Sequence, residues 1–203
     1  MNIHGESFQW YDFKNVTSTM DIAFKFIQDG CSCWTAITAL SQSSGRGTHG
    51  RDWSSRSGKG LWLSVIMPPP HHFENLEGLS LSIAKSLVNT LYCFSECTYT
   101  IKHPNDVMVG NRKIAGILIE SATFGEKIMS MVLGMGVNFC QTEKDFCDDR
   151  LYDATSLYME TGEYPDRTKF LISLLEHIRN TVDAELYVKC PVFNGCRISK
   201  NKK

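Results

Sequence analysis

No apolar run in this 203-residue sequence approaches the ~20 residues that a membrane-spanning helix requires. Met1 to Trp10 is polar and aromatic and lacks the basic-then-apolar order of a signal peptide. Neither sign of charge is in excess, because 21 basic side chains stand against 22 acidic ones for a formal net charge of −1. That balance gives no electrostatic ground for nucleic acid or an anionic membrane as a main partner. Internal repeats are missing as well. With 42% hydrophobic and 21% charged residues the chain reads as one globular domain, which excludes disordered and fibrous architectures. Room for a second independent domain is tight. A soluble, cytoplasmic protein is the expectation.

Cysteine is too sparse for a disulfide scaffold, at 8 in 203 residues with no export signal. Cys31 and Cys33 have one residue between them and Cys93 and Cys97 three, neither being the two-residue gap of a zinc knuckle. No histidine adjoins either pair. Reduced, mostly buried thiols are expected, and no metal centre is assigned to the protein itself.

Hydrophobic patterning lays out the elements. Ser18 and Thr19 offer N-caps to an amphipathic helix over Met20 to Gln28, with Ile22, Phe26 and Ile27 near helical spacing and Asp29-Gly30 as the stop. Trp34 to Leu40 reads as a strand, and Leu61 to Met67 as another closed by Pro68, Pro69 and Pro70. Between them Ser41 to Gly60 carries five glycines and five charged residues without periodicity, a long loop of the kind that is usually functional or disordered. Leu79, Ile83, Leu87 and Leu91 make a helical stripe within Leu76 to Phe94. Tyr99 to Lys102 is a strand running into Pro104. Val107 to Val109 and Lys113 to Glu120 flank Gly110-Asn111 as a hairpin, and Phe124-Gly125-Glu126 turns into a third antiparallel partner, Lys127 to Asn138. Pro165 opens a last helix running to about Leu186, with Phe170, Leu171, Leu174, Leu175, Ile178 and Val182 on one face. Hairpins mixed with helices predict an α+β domain, a mixed, mostly antiparallel sheet backed by helices. The strict strand–helix alternation of a doubly wound parallel sheet is missing.

Four segments carry residues suited to chemistry. In Gly45-Arg46-Gly47-Thr48-His49-Gly50-Arg51-Asp52-Trp53 the glycines free backbone N–H groups to wrap an anion. Arg46 and Arg51 supply planar forks for carboxylate or phosphate oxygens, and Trp53 is suited to covering a flat ring. The plainer reading is a solvated loop, and both the Walker and the dinucleotide signatures are absent. In Lys102-His103-Pro104-Asn105-Asp106, at a strand end, Lys102 brings a compact positive charge, and Asn105 and Asp106 bring oxygens able to hold Mg²⁺ or orient an amine. The same five residues also suit an ordinary turn. Lys113 to Glu120 places Gly116 inside a strand, which marks either the close approach of a ligand or a bulge. Gly134-Met135-Gly136-Val137-Asn138 sets small residues beside a polar one at a strand end.

Taken in order, Ser18-Thr19-Met20, GRGTHGRDW, KHPND, KIAGILIE and GMGVN resemble the catalytic domain of the biotin protein ligases, over residues 16–140 and the helix near the C-terminus. Lys-x-Pro-Asn-Asp followed closely by Lys-x-Ala-Gly-Ile-Leu is the most specific part. The resemblance implies an enzyme, a biotin–[acetyl-CoA-carboxylase] ligase. Such an enzyme activates biotin with ATP and Mg²⁺ to biotinyl-5′-adenylate, releases pyrophosphate, and passes the biotinyl group to a lysine of a biotin carboxyl carrier protein. It implies that Ser18, Thr19, Met20 and Gln42 line the biotin pocket, and that Arg46, Gly47, Thr48 and Lys102 surround the carboxyl end and the adenylate. Gly116 would let the ring system lie flat on the sheet, while Arg51, Trp53, Lys113 and Asn138 would face the nucleotide and Asn105 the nucleotide or its metal. Lys102, Arg46 and Asp106 are the implied catalytic groups, Asp106 by positioning or deprotonating the carrier lysine. The chemistry suits this set: a carboxylate meeting a phosphate needs cations and N–H groups to offset repulsion, and attack of an amine on the resulting anhydride needs no enzyme nucleophile.

Two positions depart from the pattern. Thr48 stands where bacterial enzymes often carry an arginine that retains the adenylate, which points to a looser hold on the intermediate. His103 stands where tryptophan is usual and is read as a packing residue. The competing readings are a lipoate or octanoate ligase or transferase of the same fold, whose loop is of an Arg-x-Gly-Gly-Gly type, and a non-catalytic biotin-binding module. On length, the resemblance implies a minimal form: residues 1–186 as the catalytic domain, no N-terminal DNA-binding domain, little or no C-terminal β-barrel, and residues 187–203 as a short basic tail. The identity of the carrier and the oligomeric state, a homodimer included, stay open.

Overall fold

Alternation along the strands sets the frame. In Gly60–Met67, residues Leu61, Leu63, Val65 and Met67 enter one apolar cluster, whereas Ile66 enters a second cluster on the opposite face. The computed structural model describes residues 2–3, 6–67, 76–124, 127–149 and 151–186. Strands β1 (Asn2–Ile3) and β2 (Glu6–Ser7) form a small antiparallel ladder. The main sheet has seven strands: β3 (Gln9–Val16), β4 (Thr35–Gln42), β5 (Gly60–Met67), β6 (Tyr99–Lys102), β7 (Asp106–Val109), β8 (Arg112–Phe124) and β9 (Lys127–Asn138). Their spatial order is β3-β4-β5-β9-β8-β7-β6. β3 and β4 run parallel and the other neighbours antiparallel, as the α+β reading predicts.

Helices α2 (Leu76–Tyr92) and α5 (Arg167–Leu186) cover one face. Their predicted stripes, Leu79, Ile83, Leu87 and Leu91 with Phe170, Leu171, Leu174, Leu175, Ile178 and Val182, are all buried in the larger cluster. Each such side chain contributes about 1.5–3 kcal/mol relative to exposure, so this face carries most of the stability. The start of α5 is set by Asp166, whose Oδ1 accepts from the N–H groups of Thr168 and Lys169 at 3.0 Å each, rather than by Pro165. Helix α1 (Thr19–Gln28) joins β3 to the parallel β4 and packs on the other face through Met20 and Ala23 against Ile37, Ile66 and Val132. Ser18 caps it by accepting from Met20 N–H at 3.2 Å.

Several features differ from the sequence expectations. Edge strand β3 was not predicted, because Trp10, Tyr11, Asp12, Phe13, Lys14 and Asn15 do not alternate cleanly. Short helices α3 (Glu143–Asp148) and α4 (Leu157–Thr161) exist through local capping: a Thr142–Asp145 capping box for the first, Ser156 and a left-handed Gly162 for the second. The stretch read as an unpatterned loop is folded on itself. Gly47 N–H donates to Arg51 O at 2.7 Å and Trp53 N–H donates to Gly45 O at 2.8 Å, so that the backbones of Arg46 and Asp52 pair as an isolated antiparallel bridge. The predicted stop at Pro68–Pro70, the centre of the turn at Gly125-Glu126, and the basic tail 187–203 lie outside the described residues. Among the described residues no helix is long and apolar enough to cross a membrane.

Candidate active site

On the face opposite α2 and α5, strand register lines up glycines. Gly136 on β9 is flanked by Trp62 on β5 and Gly116 on β8; Gly116 is flanked in turn by Asp106 on β7, and Asp106 by Lys102 on β6. One step along, Gly134 lies between Ser64 and Leu118. The three glycines leave a trough in the sheet, which side chains fill. A Cβ on Gly134 would sit 2.7 Å from Met20 Sδ, one on Gly116 2.8 Å from Trp53 Cζ3 and 3.1 Å from Lys113 Nζ, and one on Gly136 would overlap the Trp53 indole. All of these occupants are ends of side chains, so the trough widens if they move, without a change in the sheet.

One end of the trough is a fixed polar chain. Gln42 Oε1 accepts from Thr19 N–H at 2.7 Å and from Thr19 Oγ1 at 3.0 Å, Thr19 Oγ1 accepts from Ser64 Oγ at 2.8 Å, and Gln42 Nε2 donates to Ser55 Oγ at 2.8 Å. Ser55 Oγ then donates to Trp53 O at 3.1 Å. Every member has a partner, as buried polar groups require. Gly45 is a close-approach site here, because a Cβ would overlap Trp53 O and lie 2.7 Å from Ser55 Oγ. Ser55 and Ser64 were not singled out from sequence; isolated serines carry no signal until the fold buries them.

The cations sit around the rim. Arg46 pairs with Asp21 of α1 and, at 3.5 Å, with Glu120 of β8. Arg51 folds back on Thr48, donating to its Oγ1 at 3.0 Å and its carbonyl at 3.3 Å. Lys113 Nζ lies 2.6 Å from Asp106 Oδ1 and 5.0 Å from the centre of the Trp53 ring. Asn105 Nδ2 donates to Ile117 O at 2.8 Å, and Ile117 N–H donates to Asn105 O at 3.0 Å, which ties the strand-end motif beside Gly116.

These groups border two cavities. A narrow cleft of about 40 Å³, room for little more than a water molecule, is lined by Ser18, Thr19, Met20, Gln42, Arg46 and Gly116 among others. A chamber of about 420 Å³, within the size range of small-molecule sites, is lined by Arg51, Lys102, Asn138, Gln141, Phe146 and Leu151 among others. Gly47, Thr48, Trp53, Asp106 and Lys113 border both. The predicted biotin residues other than Lys102 thus gather at the cleft. Lys102 joins the chamber, along with the nucleotide residues Arg51, Trp53, Lys113 and Asn138, and Asn105 lines the cleft.

The wall formed by Asn138, Gln141, Phe146, Asp149, Leu151 and Ala154 was legible in sequence only at Asn138. Asp149 Oδ2 accepts from Ser54 Oγ at 2.6 Å, and Arg56 Nε donates to Asp149 Oδ1 and Oδ2 at 3.1 and 3.0 Å. Lys59 reaches Asp145 Oδ2 at 2.9 Å. The Arg56 guanidinium first, then the Ser54 hydroxyl, hold the Asp149 carboxyl below its usual range. Burial opposes ionisation of Asp145, yet Thr142 and Lys59 together bring it down to about 2. These pairs fasten the loop that carries Trp53 to α3.

Residues 13–138 match the Biotin/lipoate A/B protein ligase family, and the chain belongs to it. Within that class its similarity is to biotin ligases. It is 31% identical over 163 residues to the bifunctional ligase/repressor BirA of Bacillus spizizenii, covering 80% of this chain and 49% of that protein. It is 31% identical over 143 residues to the biotin–[acetyl-CoA-carboxylase] ligase of Paracoccus denitrificans, covering 69% of this chain and 58% of the relative. The biotin protein ligase of Aquifex aeolicus, solved in complex with biotin and ATP, superposes with a TM-score of 0.75 at 30% identity, over 89% of this chain and 72% of that one. The chain spans about half the length of the curated BirA relatives it matches.

Proposed function

We propose that this chain joins biotin to ATP as biotinyl-5′-adenylate and transfers the biotinyl group to a lysine of a biotin carboxyl carrier protein. The observation that carries the proposal is the junction of the two cavities at Gly47, Thr48, Trp53, Asp106 and Lys113. A small polar-ended cleft beside a larger, cation-rimmed chamber suits a ring-bearing acid meeting a nucleotide, and the Aquifex aeolicus relative was solved with that pair of molecules.

In the first step the biotin carboxylate attacks the α-phosphorus of ATP and pyrophosphate leaves. Arg46, Arg51, Lys102 and Lys113 offset the repulsion between the two anions, and the tight loop holds its charges without reorganisation at the moment of reaction. Biotin entry requires Trp53 and Lys113 to leave the glycine trough. Mg²⁺ would travel with the nucleotide phosphates, needing one or two carboxylates and keeping several waters. Asp106, which borders both cavities, is the carboxylate that fits that role; among the described residues there is no cluster of three acidic, histidine or cysteine ligands. In the second step the carrier lysine amine attacks the biotinyl carbonyl carbon and AMP departs. In this reading Asp106, freed from its pair with Lys113, orients the amine and receives its proton. Thr48, whose hydroxyl accepts from Arg51 at 3.0 Å, supports a looser hold on the adenylate than an arginine there would give, and labelling of bystander proteins by released adenylate is the sign of it. A cytoplasmic setting, where ATP is plentiful, suits the reaction.

The test is incubation with biotin, ATP, Mg²⁺ and a purified biotin carboxyl carrier domain, read by intact mass. A single biotinyl gain on the carrier is the expected result. A gain with lipoate or octanoate alone would assign the chain to the other branch of the family, and binding without transfer would make it a binding module.

A further inference from the structure

We propose that Cys31 and Cys33 form a dithiol site that closes reversibly to a disulfide by exchange with a low-molecular-weight disulfide. Neither residue lines the cleft or the chamber, so the site is independent of the ligase reading. Both side chains are half-buried thiols, within reach of a small reagent.

The pair sits where α1 gives way to β4. Cys31 N–H donates to Phe26 O at 2.8 Å, which pins its main chain to the end of α1, and Thr35 is held in β4 by pairing with Gln9 and Ile66. Residues 31–34 between these anchors belong to neither a helix nor a strand, so their backbone can adjust without breaking a ladder. Alternation into β4 sends Trp34 and Ala36 to the larger cluster, whereas Cys31 packs with Ile37 under α1. Both sulfurs meet on that side at one hydroxyl: Cys31 Sγ is 3.3 Å and Cys33 Sγ 3.7 Å from Thr35 Oγ1. They are therefore no farther from each other than those two contacts laid end to end. Cys31 Sγ also reaches Cys33 O at 3.9 Å.

The shared hydroxyl suits both redox states. Thr35 Oγ1 gives its one proton to Cys33 O at 3.1 Å, which leaves its lone pairs to accept from the two thiols. Oxidation removes both S–H donors and leaves the Thr35 bond in place, so neither state buries an unpaired donor. In the exchange, one thiol loses its proton and attacks a sulfur of the reagent, whose other half leaves as a thiol. The second protein thiol then attacks the sulfur so captured and expels the remaining half. Two electrons and two protons pass from the protein to the reagent, one S–S bond breaks and one forms. The second step is intramolecular, which is why proximity of the two sulfurs decides the product. Cys93 and Cys97 make a contrast: Cys93 Sγ turns back to Asn89 O at 3.4 Å, and Cys97 bonds to Tyr99.

The experiment treats the folded full chain with glutathione disulfide, blocks the remaining thiols, and weighs the tryptic fragments. Fragment 26–46 holds only Cys31 and Cys33, and fragment 86–102 only Cys93 and Cys97, so each pair reports by itself. Fragment 26–46 is expected to appear unblocked and lighter by two hydrogens, about tenfold or more in excess over the same product in fragment 86–102, whose sulfurs are aimed apart. Dithiothreitol should restore it. In Cys33→Ser the first step has no successor, so glutathione is expected to stay on Cys31. Fragment 26–46 of the wild type remaining a dithiol while other cysteines react, retaining glutathione, or forming no more disulfide than fragment 86–102 overturns the proposal. The wild-type comparison decides this even if the variant does not fold. Pyrophosphate release is not part of the readout, so failure of the ligase reading leaves the result standing.

Discussion

The two faces of the seven-stranded sheet are written by alternate residues of the same strands and do opposite things. On β9, Met131, Leu133, Met135 and Val137 enter the core under α2 and α5, whereas Gly134, Gly136 and Asn138 face the trough and the chamber. The first face is filled by fixed apolar side chains. The second carries a smaller core under α1, of Ile37, Ile66 and Val132, and beside it the trough, filled by side-chain ends of Trp53, Lys113 and Met20 that lie on glycines. Around the trough, stability and function are separated by the pleat, so substitutions one residue apart there ought to have different consequences.

The largest effect is expected on the packed face. Phe170→Ala, at a fully buried ring, is expected to cost about 3–5 kcal/mol in urea unfolding while nucleotide affinity per folded molecule is unchanged. A loss of affinity without a loss of stability would break the separation of faces. Gly136→Ala should do the converse: the three atoms nearest its Cβ all belong to the movable Trp53 ring, so the melting temperature shifts little, while misplacement of the site lowers biotin-dependent pyrophosphate release by about 100-fold. Unfolding of this variant would show that the glycine face is structural too.

Smaller effects sharpen the boundary. Asp145 has its carboxyl lowered to about 2, so its contribution is complete above the unfolded value near pH 4 and disappears as pH falls through about 2. Asp145→Asn is expected to be less stable than the wild type at pH 7, with the gap narrowing from about pH 4 downward; a constant gap would contradict ionic anchoring of the loop. His49, at φ 57°, holds a left-handed conformation at the loop tip. His49→Gly relieves that strain but frees the unfolded chain, so stability should stay within about 0.5 kcal/mol. A larger shift in thermal unfolding would mean the imidazole itself supports the loop.

The packed face was legible in the sequence because helical stripes such as Leu79, Ile83, Leu87 and Leu91 repeat one physical requirement many times. The hairpin at Gly110-Asn111 was legible for a local reason, a turn that needs the positive φ of 57° that Gly110 adopts. Strand β3 was not, since an edge strand with polar residues on its open side lacks alternation. The site was legible in part. Glycines and arginines mark themselves in GRGTHGRDW, and residues of KHPND and GMGVN border the same two cavities. The supporting groups left no such mark. Ser55, Ser64, Gln141 and Asp149 gain meaning only when distant segments bury them, as when Asp149 meets Ser54 and Arg56 across more than ninety residues of chain. Nor does sequence reveal that Trp53 lies in the trough, which depends on the loop folding back through Gly45 and Gly47.

The central claim is that the cleft and the chamber hold an acid and a nucleotide for reaction with each other. Pyrophosphate release measured with each substrate alone and with both tests it most directly. The account predicts release only when biotin and ATP are present together, with biotinyl-adenylate recovered in equal amount. Release with ATP alone, or with lipoate in place of biotin, would contradict it.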